Sequence, residues 1–191
     1  MRKIICLVII LNILLGFMPE KSLASSGSTE REIELEYLTP LDNDRDINTF
    51  SIHILNKIPA KNSSISFYNG LTITRPQGEI FSGGEKCDSS AFGIGPVYLA
   101  RYEPFHSGKL AFSLDMSDGL ILYNKKFPVE GRIYNFMWRA GPQFSYKFDQ
   151  NTAVSIGYKL MHVSNGSSIF GKGHNPSYNA SGFSLSIVTH F

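Results

Sequence analysis

The chain has 191 residues with 18 basic and 16 acidic side chains, and 13% of it is aromatic. A formal charge of +2 gives no support to nucleic-acid binding, which usually needs a basic patch. Two cysteines, one of them in the N-terminal leader, exclude an intrachain disulfide framework in a processed chain.

Met1-Arg2-Lys3 precedes an apolar run from Ile4 to Met18, and Ser22-Leu23-Ala24 puts small residues where a signal peptidase cuts. The expected organisation is a signal peptide over residues 1–24 and one domain over residues 25–191. The alternative, an uncleaved anchor, needs a longer apolar run. Cleavage removes Arg2, Lys3, Glu20 and Lys21, which leaves a formally neutral chain. Cys6 leaves with the leader, so Cys87 is alone in a glycine-rich loop. No cysteine follows the apolar run in a lipidation position. No later stretch approaches the roughly 18 uninterrupted apolar residues of a membrane helix.

The rest of the chain reads as strands. After the Ser/Gly-rich residues 25–30, Glu32 to Tyr37 alternates strictly between acidic and apolar or aromatic residues, the pattern of a half-buried strand. Residues 39–48 read as a loop. Phe50, Ile52 and Ile54 mark a second strand, and Pro59 a short turn. Ile65, Phe67, Leu71 and Ile73 mark a third, followed by a loop over 76–90. The fourth runs from about Ala91 to Tyr102, with a turn over 103–107. In the fifth, Leu110, Phe112, Leu114 and Met116 oppose Ala111, Ser113, Asp115 and Ser117, and a loop over 124–131 follows. The sixth is the clearest: Tyr134, Phe136, Trp138, Ala140, Phe144, Tyr146 and Phe148 share one side. Asn135, Met137, Arg139, Gly141, Gln143, Ser145 and Lys147 share the other. Asp149-Gln150-Asn151 is a tight turn. The seventh strand spans about 152–165. A loop over 166–178 leads to the eighth, in which Phe183, Leu185, Ile187, Thr189 and Phe191 alternate with Ser184, Ser186, Val188 and His190.

An even strand count, short turns alternating with longer loops and a terminal aromatic predict an all-β protein. The expected architecture is an eight-stranded antiparallel transmembrane β-barrel of the bacterial outer membrane. Asp115, Arg139 and Lys147 fall on the less apolar side, which the lumen can host more cheaply than lipid. The alternative is a soluble barrel of lipocalin type, apolar inside. Alternation alone does not tell inside from outside.

The seventh strand carries the candidate site. Period two puts Tyr158, Leu160, His162 and Ser164 on one side, the lipid side of a membrane barrel. The strand ascends, so His162 and Ser164 sit near its outer end, with Asn179 close to the same rim. A serine hydroxyl is inert until a base takes its proton, and His162 is the base within reach. Residues at i and i+2 are about 6–7 Å apart at Cα. Asn165, or backbone N–H groups around Gly166, could hold an oxyanion. The bland reading is a pair of interfacial polar residues on a structural or adhesive barrel. His174 is a second loop histidine with only His162 to pair with, so no metal site is expected.

Gly157-Tyr158-Lys159-Leu160-Met161-His162-Val163-Ser164-Asn165-Gly166, then Asn175-Pro176-Ser177-Tyr178-Asn179, then an alternating strand ending in Phe191, resembles the lipid A 3-O-deacylase (PagL-type, acyloxyacyl hydrolase) family. Ile94-Gly95-Pro96-Val97 and the strand from Phe136 to Tyr146, with its Arg-x-Gly-x-x-x-x-Tyr pattern, are similar to it as well. The likeness covers roughly residues 90–191. It implies a barrel that hydrolyses the ester-linked acyl chain at position 3 of lipid A, with no metal or organic cofactor. Its partners would be lipopolysaccharide and the membrane, with homodimerisation left open. His162 matches the base, Ser164 the nucleophile and Asn165 the oxyanion residue. The third member departs from the family: a Glu normally orients the histidine, yet no Asp or Glu follows Asp149, and Asn179 is nearest to that place. An Asn can orient a histidine but cannot stabilise an imidazolium by charge. Ser177 stands where the common pattern has Gly.

Overall fold

A computed structural model describes residues 30–60, 64–166 and 174–190. The expected leader, the terminal Phe191 and most of the 166–178 loop lie outside the described residues. The strands are β1 (Glu30–Pro40), β2 (Arg45–Ile58), β3 (Ile65–Ser82), β4 (Glu85–Asp88), β5 (Gly93–Ser107), β6 (Leu110–Phe127), β7 (Arg132–Lys147), β8 (Thr152–Ser164) and β9 (Tyr178–His190). Every pairing is antiparallel, and β1–β9 and β2–β3 close the sheet on itself. Eight strands form the wall. The short β4 folds back onto the upper part of β3 and stands outside the count.

Which residues are buried decides between the two barrel types. The side chains of Glu32, Glu34, Glu36, Arg139 and Lys159 are almost wholly inaccessible, while Leu185, Phe144, Ile156 and Phe183 are more than half exposed. A soluble barrel has the reverse arrangement. An apolar exterior around a charged interior suits hydrocarbon outside and a filled lumen inside.

Charge pairing runs through the lumen. Alternation along β1 sends Glu30, Glu32, Glu34 and Glu36 inward as an acidic ladder. Arg101 reaches Glu32 at 2.8 Å and Asp115 at 2.8 Å. Lys159 sits 2.7 Å from Asp115 and 3.6 Å from Glu34, and Arg139 lies 3.0 Å from Glu36. Buried His53 bridges onward: its Nε2 meets Arg139 at 2.6 Å and its Nδ1 meets Thr72 Oγ1 at 2.8 Å. Each of these buried charges has a partner, the condition for tolerating charge in a dry interior. Above this layer an apolar plug packs under the loop end of the barrel, including Leu38, Ile121, Phe127, Met137, Met161, Val163 and Tyr178. Tyr178 packs edge-on against Phe127 and hydrogen-bonds Thr49. Met161 and Val163 thus anchor β8 from inside while their neighbours face outward.

Several boundaries differ from expectation because strand pairing runs past local turn signals. Residues 39–48 contain only a four-residue connection, 41–44: β1 continues to Pro40 against β9, and β2 begins at Arg45 against β3. The expected loop over 76–90 is largely a hairpin of β3 and β4. The expected turn over 103–107 is strand, in which a register shift between Tyr102 and Phe105 absorbs Pro104, a residue with no N–H for the ladder. The reversal falls instead at Gly108, whose φ of 59° suits a residue without Cβ. Likewise β6 continues to Phe127 through a second irregularity, in place of a loop beginning at Asn124. Lys147, expected in the lumen, lies exposed at the terminal end of β7.

Candidate active site

His162 and Ser164 occupy outward positions at the loop end of β8, both half-buried. The inward positions between and below them are Val163, Met161 and Lys159. Pairing on both sides fixes a row across three strands: Trp138 on β7, His162 on β8 and Asn179 on β9. The Trp138 and His162 rings lie 6.1 Å apart at 34°. Below the row the outer surface is apolar, with Leu160, Tyr158 and Phe183 exposed and the last two in edge-to-face contact at 5.4 Å. Ser164 stands opposite Phe136 at the loop end of the same face.

The histidine is held from one side. Its Nδ1 is 2.8 Å from Asn179 Oδ1. An amide oxygen only accepts, so Nδ1 is the donor, and in a neutral ring the lone pair then lies on Nε2. Asn179 is held in turn by Asp42 in the connection between β1 and β2. Asp42 Oδ2 accepts the Asn179 backbone N–H at 2.6 Å, and Asn179 Nδ2 donates to Oδ1 at 3.1 Å and Oδ2 at 3.3 Å. The Leu41 N–H donates to the Asn179 carbonyl at 3.0 Å, which ties the same connection to β9.

Asn165 and Gly166 follow directly on the loop end of β8. Asn165 is buried. Its backbone N–H donates to Asn175 Oδ1 at 3.1 Å and its Nδ2 to the His174 carbonyl at 3.0 Å. The side chain lies one position past outward Ser164, so alternation sends it to the inward side. Gly166 follows at a φ of 68°, where the strand breaks into the loop. His174 itself is exposed and 3.6 Å from Glu130. Among the described residues, no group of three His, Cys, Asp or Glu side chains is arranged to hold a metal ion.

The family described as lipid A 3-O-deacylase (PagL) matches residues 57–188, more than half of the chain. The chain belongs to this family. A solved structure, the crystal structure of the outer membrane enzyme PagL, aligns with a TM-score of 0.56 at 14% identity, covering 83% of this chain and 98% of that one. At that identity the likeness speaks for the fold alone. The solid-state NMR structure of outer membrane protein AlkL in DMPC lipid bilayers aligns at a TM-score of 0.41 and 14% identity, over 91% of this chain and 97% of that one. No curated protein matches. The fold is therefore that of an outer-membrane β-barrel, and the family is one of lipid A hydrolases.

Asp42 is the residue that sequence reasoning did not find. It lies 137 positions from Asn179 in the chain. The only trace in the sequence is the density of Asp and Asn over Asp42 to Asp46. Trp138 is legible as an outward aromatic, but its place beside His162 depends on the β7–β8 register.

Proposed function

We propose that the chain hydrolyses the ester-linked 3-O acyl chain of lipid A in the outer leaflet, with Ser164 as nucleophile and His162 as general base. The reading rests on one combination: membership of the deacylase family, with His162 held by Asn179 on the lipid-facing surface at the loop end of the barrel. By the usual disposition of such barrels, the chain termini lie in the periplasm and the opposite rim faces the outer leaflet.

The chemistry follows from the proton positions. Nε2 of His162 takes the Ser164 hydroxyl proton as Oγ attacks the ester carbonyl carbon. The negative charge on the carbonyl oxygen is met by the Gly166 N–H at the strand break, while Asn165 braces the loop behind it. When the intermediate collapses, the carbon–oxygen bond to the sugar breaks and His162 returns its proton to the departing sugar oxygen. Water then attacks the acyl-serine, again losing a proton to His162, and the free fatty acid leaves with Ser164 restored. The apolar strip of Leu160, Tyr158 and Phe183 lies where the acyl chain would run alongside the barrel. Trp138 closes the opposite side of the imidazole.

Mass spectrometry of lipid A from cells with and without the protein tests the reading. The expected result is loss of one 3-hydroxyacyl group, abolished by Ser164→Ala and by His162→Asn while heat-modifiable gel migration is retained. An unchanged acyl pattern with folded protein, or deacylation that survives Ser164→Ala, overturns it and leaves a non-catalytic barrel.

A further inference from the structure

Asn179 can face His162 in two ways, and only one gives a competent base. A side-chain amide has an acceptor on one arm and a donor on the other, and the two arms are almost identical in shape. With Oδ1 toward the ring, Nδ1 is protonated and Nε2 is a base. With the amide reversed, the NH₂ group would donate to Nδ1, the proton would move to Nε2, and the base would be lost. Nothing in the His162–Asn179 pair itself chooses between these arrangements.

Asp42 chooses. An ionised carboxylate accepts and never donates. It takes Asn179 Nδ2 with both oxygens, at 3.1 and 3.3 Å, and takes the Asn179 backbone N–H with Oδ2 at 2.6 Å. A reversed amide would set its oxygen against two carboxylate oxygens, repulsive on both. Asp42 is half-buried and the contact is partly shielded from water, which strengthens the preference.

We infer that Asp42 is a positioning residue that fixes the tautomer of His162 through the orientation of the Asn179 amide. The orienting carboxylate is thereby displaced by one residue. Asp42 supplies the negative charge, and Asn179 relays its orienting effect to the ring. The chain from Asp42 to Asn179 to His162 closes only because the 41–44 connection is hydrogen-bonded to the start of β9 at Leu41 as well as at Asp42. This inference rests on the assignment of His162 as the base, yet its first observable is independent of activity.

That observable is the protonation pattern of the His162 ring. ¹⁵N-imidazole NMR of the full chain in detergent micelles, at a pH where the ring is neutral, distinguishes the two tautomers. Among the five histidines, His162 is assigned by the signal lost in His162→Asn. The wild type should hold the Nδ1–H form. Asp42→Asn keeps the size of the side chain but puts an NH₂ group on one of the two arms that now accept from Asn179 Nδ2. Donor then meets donor, the Asn179 amide reverses, and the Nε2–H form should dominate. On purified lipid A in micelles, kcat should fall about a hundredfold or more, with KM changed by less than about twofold, as expected for a wrong-tautomer base.

The exchanged pair Asp42→Asn with Asn179→Asp provides the control for folding. In it the carboxylate moves onto β9, where it would accept both from the amide now carried by the 41–44 connection and from the His162 Nδ1–H. The Nδ1–H form and most of kcat should therefore return. Asn179→Asp alone sets two carboxylates together and should not reproduce that recovery. An unchanged tautomer in Asp42→Asn overturns the inference, as does an exchanged pair no better than the single variant. An inactive wild type whose tautomer still switches on Asp42→Asn overturns the esterase reading and supports the role of Asp42.

Discussion

Removing Arg139 should expose how far the barrel depends on its luminal charges. Arg139 Nη1 lies 3.0 Å from Glu36 and 3.7 Å from Glu34, and all three side chains are almost fully buried. Arg139→Met keeps the volume and removes the charge. Glu34 is then left with Lys159 at 3.6 Å, a cation already shared with Asp115, and Glu36 is left with His53 at 3.6 Å. A pair near 4 Å is worth about 4 kcal/mol at an effective dielectric constant of 20. Breaking one side of a buried pair costs about 3–5 kcal/mol, because the surviving charge is stranded. Two carboxylates lose a partner here, so the expected loss lies near 5 kcal/mol, the upper end of that range. Urea unfolding in micelles, followed by gel mobility, measures it. Adding Glu36→Gln to Arg139→Met removes the more closely paired charge and should recover about half of the loss by the same reasoning. An Arg139→Met variant within about 1 kcal/mol of the parent would refute the luminal pairing as a source of stability.

Other expectations follow from single contacts. Trp138→Ala removes the ring beside His162, and since an aromatic contact is worth about 0.5–1.5 kcal/mol, deacylation should slow about 2- to 12-fold with folding retained; an unchanged rate shows that the ring does not order the imidazole. Gly141→Ala would place a Cβ 1.9 Å from the Tyr158 carbonyl oxygen of the neighbouring strand. The strands must separate locally, so stability should fall by about 1–3 kcal/mol in urea titration, and a neutral substitution would show that β7 and β8 are not so close. Cys87 lies on the β3–β4 hairpin, at the same end as His162. A membrane-impermeant maleimide should label it on intact cells; labelling only after permeabilisation would place the site on the wrong side of the membrane.

How much of the molecule is legible in its sequence depends on how far along the chain each signal reaches. Period-two alternation located the wall of the barrel, including the outward positions of His162 and Ser164, because side-chain direction in a strand is a local property. The strand ends were less legible. Pro40, Pro104 and the polar residues beyond Asn124 read locally as loop, yet pairing with β9, β6 and β7 keeps them in strand. The acidic face of β1 was visible as alternation, but its meaning was not: Glu34 and Glu36 are luminal partners of Lys159 and Arg139, more than a hundred residues away.

The sequence by itself determined the alternating strands, the His-x-Ser-Asn motif at the end of the penultimate strand, and the absence of an acidic residue after Asp149. Only the closed barrel decided what stands in for that acid. Closure brings the start of β9 beside the end of β1, so the connection after β1 reaches the rim next to His162. The carboxylate missing from the last segment is therefore supplied by Asp42 from the first, across a seam that no local pattern records.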